Sequence, residues 1–397
     1  MESARPRVAV MGGSLGGLTA GVLFRRAGVD VEVFERSRRP LEGRGAGIVL
    51  HPAGVAALSG GSARLSARAV RMRYLNTRAE IVHDEACSYR FSSYAALHHA
   101  LLEEFDASRY HLSSEISGFE AGEESVVVEL PGGERRDFDL LVAADGIQSV
   151  ARGILLPETK PEYAGYVGWR GTVVESDLTE STFGILTDAI SYCILPYSHI
   201  LIYPIPGLDG SVAPGDRLIN WVWYRNVEEG PGLDRLLTDR AGVRQAVSLG
   251  AGSVRDEVVA DLRADAEADL PGPLAEMVVR SPLPFVQVVL DIAVPRMAFG
   301  RVALIGDAAF ALRPHIAAGT AKAAADARTL VDAFVAAGAP ADPTDALKRW
   351  QDPQLALGRS AMERARSAGV RSQFENSWSA GDPLPFGLYE DGDSRLQ

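Results

Sequence analysis

Cysteine is nearly absent from this 397-residue chain: only Cys87 and Cys193 occur, far apart and without metal-ligand spacing. That excludes a disulfide framework and a cysteine metal centre, and both are read as reduced thiols in the core. No metal site is expected. Lysine is almost as scarce, occurring at Lys160, Lys322 and Lys348, so arginine carries nearly all the positive charge. Acids still dominate, with a net charge of −12 and a pI near 5.2. Such a balance argues against nucleic acid or an anionic membrane as a partner. Long apolar runs are missing as well. No stretch approaches the roughly 20 apolar residues of a membrane span. Met1–Pro6 has no apolar segment of the kind a signal peptide carries, so the expected compartment is cytoplasmic. A hydrophobic content of 47% is enough for a substantial core, spread over about two domains.

What is present begins at residue 7. The apolar strand Arg7-Val8-Ala9-Val10-Met11 runs into Gly12-Gly13-Ser14-Leu15-Gly16-Gly17 and opens a helix from Leu15 to Ala27, closed by Gly28. A second strand, Asp30 to Phe34, ends in Glu35. Strand, tight turn, helix, strand and an acid about 20 residues on form the dinucleotide fingerprint in its expected context. Gly12 permits the turn, and the helix amides and dipole receive a pyrophosphate. Gly17 allows close helix–strand packing, and Glu35 can accept both ribose hydroxyls. Ser14 stands where the middle glycine is usual, a departure that its small side chain tolerates. Near the other end, Val302 to Ile305 is a buried strand that Gly306-Asp307 terminates, and Ala321 to Ala337 is an Ala-rich helix. An acid at a strand's end and a Gly-containing helix start make a cradle for a sugar alcohol and a phosphate.

Between these lie the Gly-rich loop 42–48, whose glycines let backbone approach a flat ring closely, and alternating runs at 69–75 and 80–87 that suggest a hairpin. Ser92 or Ser93 caps a helix running to Phe105, and 125–138 reads as another hairpin. The buried strand Leu140–Ala144 ends in Asp145-Gly146, with Ser149 and Arg152 on the next short helix. From 162 to 223 the texture is strand-rich and aromatic. Most of those aromatics are expected in the core of a large sheet, with one face roofing an apolar pocket for a planar ligand. Lys322 is conspicuous among so few lysines, but its expected place is the surface or a helix start. The stretch 345–374 is helical in texture, and the tail after Ser377 is Gly/Pro/Asp-rich and irregular.

Taken in order, G-G-S-L-G-G-L at 12–18 with Glu35, D-L-L-V-A-A-D-G at 139–146, and G-D-A at 306–308 with Pro314 and Gly319 resemble the single-component FAD-dependent aromatic hydroxylases. The resemblance extends over about residues 7–375 and includes Y-A-G-Y-V-G-W-R-G at 163–171, L-I-Y-P-I-P-G at 201–207 and R-P-H-I-A-A-G-T-A-K-A at 313–323. It implies an α/β fold: a Rossmann-like FAD-binding domain (1–75, 93–160 and 296–340) with an inserted β-sheet substrate domain (76–92 and 161–295). A C-terminal helical segment and tail occupy 341–397. By the same resemblance Gly12, Ser14, Leu15, Gly16 and Gly17 meet the pyrophosphate of a non-covalent FAD, and Glu35 with Arg36 meets its adenosine. Asp307 binds the ribityl and phosphate region, while Gly47, Pro314, Ala317, Ala318, Gly319 and Thr320 border the ring. Asp145 belongs to an Asp-Gly element attributed to both FAD and NAD(P)H. Tyr94 departs from the family's frequent arginine, and Arg44 is preferred over Arg90 as the replacement charge.

The implied chemistry is hydroxylation through a flavin C4a-hydroperoxide, with NADH or NADPH as transient reductant, O2 as co-substrate and a small aromatic or hydroxypyridine-like ring as substrate; a homodimer is possible in this family. The protein must position the ring, exclude water and help ionise the substrate. His315, Tyr203 and His51 are the leading acid–base candidates, with His199 and Tyr224 behind them. Three other readings compete. A flavin-dependent halogenase would need a fuller W-x-W-x-I-P element than Trp221–Asn226, and a catalytic lysine. A Baeyer–Villiger oxygenation of a cyclic ketone or lactam uses a related scaffold. A non-catalytic flavin-binding module would not need cofactor elements at three distant places together with a ligand domain.

Overall fold

The computed structural model describes residues 6–39, 41, 47–58, 63–337 and 342–394. Strand Arg7–Met11 is apolar and buried from its second residue onward, so it needs cover on both faces, as a central parallel strand does. It pairs in parallel with Asp30–Phe34 on one side and Leu140–Ala143 on the other. The full six-stranded sheet runs Ala298–Phe299, Val302–Leu304, Leu140–Ala143, Arg7–Met11, Asp30–Phe34, Tyr110–His111. Helices Leu15–Arg26 and Gly319–Ala337 pack on one another. That contact brings together the two motifs that lie some 290 residues apart in sequence.

The second sheet is larger. Its order is Ser248–Leu249, Phe285–Ala293, Glu162–Val174, Leu218–Asn226, Ser198–Ile205, Ala189–Leu195, Ala67–Leu75, Ile81–Ser93, Gly47–Val49, with Phe310–Ala311 added beside Phe285–Ala293. Alternation along these strands sends side chains to opposite faces. Trp169, Trp221 and Trp223 enter a core with Leu262, Leu274 and Val278 from the helices Asp256–Asp269 and Gly272–Arg280. Tyr166, Tyr203 and Tyr224 point the other way, towards the first domain, in a cluster with Tyr192 and Val222.

Two boundaries differ from the sequence reading. Gly47–Val49 and Ala67–Leu75, assigned to the FAD domain, are strands of the larger sheet. Ala67–Leu75 is paired along both edges, with Ile81–Ser93 and, in parallel, with Ala189–Leu195, and Gly47–Val49 pairs with the end of Ile81–Ser93. The C-terminal helix, Pro343–Gln373, returns along this sheet so closely that a Cβ at Gly369 would lie 2.7 Å from the Tyr166 hydroxyl. Among its described residues the tail beyond it has no helix or strand, as expected, yet it is tied down. Leu384, Phe386 and Leu388 are buried, and the Gly387 amide donates to the Ile316 carbonyl at 2.9 Å.

Candidate active site

At the phosphate end, Gly12 has a φ of +101°, and a Cβ there would sit 2.5 Å from the Ala144 carbonyl oxygen. A Cβ on Gly17 would fall 1.8 Å from the Gly12 oxygen. Only glycine fits at either place. The Gly13 amide donates to Glu35 Oε2 at 2.8 Å, and its carbonyl accepts from the Tyr110 hydroxyl at 3.0 Å and from His98 Nε2 at 3.1 Å. His98 thus braces the glycine loop. Ser14 stands at the N-cap of helix Leu15–Arg26 without making a side-chain cap; its Oγ lies 2.8 Å from the Tyr94 hydroxyl. The helix's first amides therefore stay available to a phosphate. Glu35 is buried, and its Oε1 accepts from the Ser37 amide at 2.9 Å.

The Asp-Gly and Gly-Asp loops meet through Arg152. This buried side chain donates to the Ala308 carbonyl at 3.0 Å and also to the Ile147 carbonyl, binding one loop to the other. Asp145 Oδ2 accepts from the Ala151 amide at 3.1 Å, while its buried Oδ1 has no partner. Burial pushes the Asp145 carboxyl above its ordinary range. Lys322 is not at the surface. It is wholly buried, 2.6 Å from Asp326, whose second oxygen accepts the Gly306 amide at 3.0 Å. That ion pair anchors the Gly306 amide next to Asp307, whose carboxyl burial pushes up to about 6 against the pull of Arg152 and Lys322.

Two cavities, of about 430 and about 270 Å³, share Ser14, Ala144, Gly146, Gln287 and Asp307 and so join end to end. Gly12, Glu35, Arg36 and Asp145 line the smaller. Leu15, Gly16, Gly47, Pro314, Ala317, Ala318, Gly319 and Thr320 line the larger. Gly17 acts in packing, and Arg44 lies outside the described residues. A glycine cradle that a Cβ would fill, free helix amides, an orphaned carboxylate oxygen and an elongated double cavity fit a dinucleotide with a flat ring at one end.

The larger cavity is walled by the aromatic sheet face. Tyr203 stacks on Phe91 with centroids 4.2 Å apart, and a Cβ on Gly47 would meet the Tyr203 ring at 2.5 Å. The Gly47 amide donates to Asn220 Oδ1 at 3.0 Å. His315 Nε2 lies 2.8 Å from the Tyr166 hydroxyl, and its ring sits 4.7 Å from that of Tyr224 and 5.4 Å from that of His199. His199 Nδ1 meets Ser372 Oγ at 2.6 Å. Burial pushes the His315 imidazole down to about 3 and takes His199 well below its ordinary range. Burial likewise raises the phenols of Tyr203, Tyr166 and Tyr224. Burial thus favours the uncharged form of each of these groups.

One expected residue falls outside the chamber, and others not expected there line it. His51 is away from the cavity: its Nδ1 accepts the Ala53 amide as a helix cap, and its Nε2 lies 3.1 Å from Asp393 of the tail. Of the stretch Trp221–Tyr224, only Val222 and Tyr224 line the chamber, because strand alternation turns both tryptophans to the far side. The tail itself supplies wall. Trp378 stands edge-on to His199 at 4.8 Å and to Tyr192 at 5.3 Å, with Leu384 and Phe386 beside it. Arg170 and Gln287 also line the chamber and were not singled out as site residues, although Arg170 shares the parity of Tyr166 within the 163–171 motif.

A Rossmann-type sheet whose phosphate cradle opens into a sheet-walled aromatic chamber defines a flavoprotein hydroxylase, and the chain belongs to the FAD-dependent aromatic hydroxylases. Residues 163–291 match the family model described as FAD binding domain-like. The chain is 37% identical to 2,6-dihydroxypyridine 3-monooxygenase of Paenarthrobacter nicotinovorans, over 98% of this chain and 97% of that one. It is 30% identical to 3-amino-4-hydroxybenzoate 2-monooxygenase of Streptomyces cremeus, covering 93% and 87%. The solved structure of 2,6-dihydroxypyridine-3-hydroxylase from Arthrobacter nicotinovorans superposes with a TM-score of 0.91 at 36% identity, covering 98% of each chain. The protein is therefore a monooxygenase with FAD as cofactor and NAD(P)H as reductant. The hydroxylating relatives favour ring hydroxylation over the Baeyer–Villiger reading. No helix among the described residues is long and apolar enough to cross a membrane.

Proposed function

We propose that the substrate is a small hydroxylated N-heteroaromatic ring of the hydroxypyridine class, hydroxylated on carbon. The observation that carries this is the chamber of about 430 Å³, flat-walled by Tyr203, Tyr224 and Trp378 and furnished with neutral hydrogen-bonding groups. The likeness to a dihydroxypyridine monooxygenase over 98% of the chain supports the same class. FAD, once reduced, supplies oxygen activation and delivery of one oxygen atom. The chain's own part is positioning. Gly12–Gly17 and Asp307 hold the cofactor, Glu35 and Arg36 its adenosine end, and the tail keeps water out of the chamber. His315, fixed by Tyr166, and Tyr203 hydrogen-bond a ring oxygen of the substrate and direct its electron density towards the reacting carbon. Arg44 and His51 drop out of the proposed site, the first for want of a described position and the second for its place at the tail. Cys193 is a free, buried thiol, in keeping with a cytoplasmic enzyme.

A panel of phenols, hydroxypyridines, cyclic ketones and lactams tests the reading, scored by substrate-dependent NAD(P)H oxidation and incorporation of labelled oxygen. Coupled hydroxylation of a hydroxypyridine is expected. Uncoupled peroxide from every hydroxylated ring, with ring oxygen gained by a ketone or lactam, would overturn it.

A further inference from the structure

Arg170 faces the larger cavity from strand Glu162–Val174 with no carboxylate beside it among the described residues, and its Nε is buried without an acceptor. Of the other charges on that lining, Asp307 lies at the cofactor loops under the influence of Arg152 and Lys322, and Arg371 donates to Asp382 at 2.9 Å. A second polar group behind this wall is unsatisfied: Asn220 is wholly buried and does not line the cavity, its Oδ1 is taken by the Gly47 amide, and its Nδ2 has no acceptor. Register places the two on one face: Arg170 stands opposite Val222, Asn220 is two residues along the same strand, and Tyr203 is directly opposite Asn220. The wall itself thus offers the Arg170 guanidinium and the Tyr203 phenol, both donors, in apolar surroundings.

A cation left unpaired in such a place is unfavourable until an anion joins it. A guanidinium is also well shaped for a planar anionic oxygen group. The charge of Arg170 reaches Tyr203 and Tyr224 as well, drawing both phenols down against the effect of burial. We infer that Arg170 is the counter-charge for an anionic oxygen on the substrate, and that the ring binds as an anion. This rests on the chamber being the substrate site and narrows the substrate class to rings that carry an ionised oxygen or a carboxylate.

The test is binding, read from the flavin absorbance of FAD-loaded protein titrated with three probes. These are 2,6-dihydroxypyridine, which ionises on a ring oxygen; benzoate, whose charge is a carboxylate; and neutral 2,6-dimethoxypyridine. Arg170→Met should weaken at least one anion by about tenfold or more, the scale of a lost charge-assisted bond. The neutral probe should change less than about twofold, and Arg170→Lys should fall between. A loss confined to 2,6-dihydroxypyridine assigns the site to a ring oxyanion, and one shared by benzoate assigns it to anionic oxygen in general. Equal losses for all three probes, or none for either anion, would overturn the inference. FAD content and thermal midpoint report folding, and should the Met variant shed FAD, the Lys variant carries the same comparison. Failure of the hydroxylation reading is distinct, because it would show as absent oxygen incorporation with anion-selective binding intact.

Discussion

Lys322 Nζ and Asp326 Oδ1 lie 2.6 Å apart with both side chains closed off from solvent, and Asp326 spends its other oxygen on the Gly306 amide. The cofactor loop is therefore held in place by a buried charge that needs its partner. Lys322→Met leaves Asp326 unpaired and should lower stability by about 3–5 kcal/mol, with loss of FAD. Pairing it with Asp326→Leu should restore part of the stability but not FAD occupancy, because the Gly306 amide loses its acceptor. Thermal midpoints and FAD content per chain read both effects; an unchanged single variant would show that the pair does not secure the loop.

Asp307 gives opposite signs with and without cofactor. In the apoprotein its carboxyl is pushed from 3.8 up to about 6, so the folded state holds the proton more tightly than the unfolded one. Its contribution is then fully present below the unfolded value and declines as pH rises through the folded one. Asp307→Asn should match wild-type apoprotein near pH 4 and exceed it above pH 6, by at most about 3 kcal/mol. The same variant should retain FAD less well. Apoprotein melting at pH 4, 5, 6 and 8 checks the trend, and a difference independent of pH would show that Asp307 is not perturbed.

Tyr166 touches His315 but does not line the cavity, which makes it a positioning residue. Tyr166→Phe keeps the ring and removes one hydrogen bond, about 0.5–1.5 kcal/mol. FAD content should stay level while the hydroxylation rate falls by up to about tenfold and more peroxide appears per NAD(P)H consumed. Unaltered coupling would mean that His315 needs no such support.

Glu35 accepts amides of both the glycine loop and Ser37, so Glu35→Ala should loosen the loop as well as remove an acceptor for ribose. FAD affinity should fall roughly 10- to 150-fold, the range of a lost charge-assisted hydrogen bond. Full FAD occupancy after dilution would place Glu35 at the periphery.

Much of this is legible in the sequence. Gly12 and Gly17 signal through steric demand: a tight turn and a helix pressed on a strand leave room for nothing larger, and both contacts are present. The strands 7–11, 30–34 and 140–143 announce themselves as apolar runs that need two covered faces. Two kinds of information were out of reach. The hairpin of 67–75 with 81–93 was legible as two alternating runs, but its place in the larger sheet depends on the pairing of 67–75 with 189–195 and of 47–49 with the end of 81–93, relations between distant segments that no local periodicity encodes. The site roles of Trp378 and Arg170 depend on what each side chain lacks or touches across the chamber. Alternation along 162–174 could have set Arg170 beside Tyr166, but its want of a carboxylate partner appears only in three dimensions. His51 misled because a histidine after the Gly-rich loop looks catalytic until its partner, Asp393 of the tail, is seen.

The tail that carries Trp378, Leu384 and Phe386 is translated after every other part of the chamber wall. The cofactor cradle, built from residues 12–17, 145–152 and 306–326, is complete before it. A ribosome that stalls or a protease that clips between 374 and 378 would therefore release a protein able to take up flavin but open to water on one side. Loss of Trp378, Leu384 and Phe386 is therefore expected to leave flavin reduction in place while more of the reduced nicotinamide ends as peroxide.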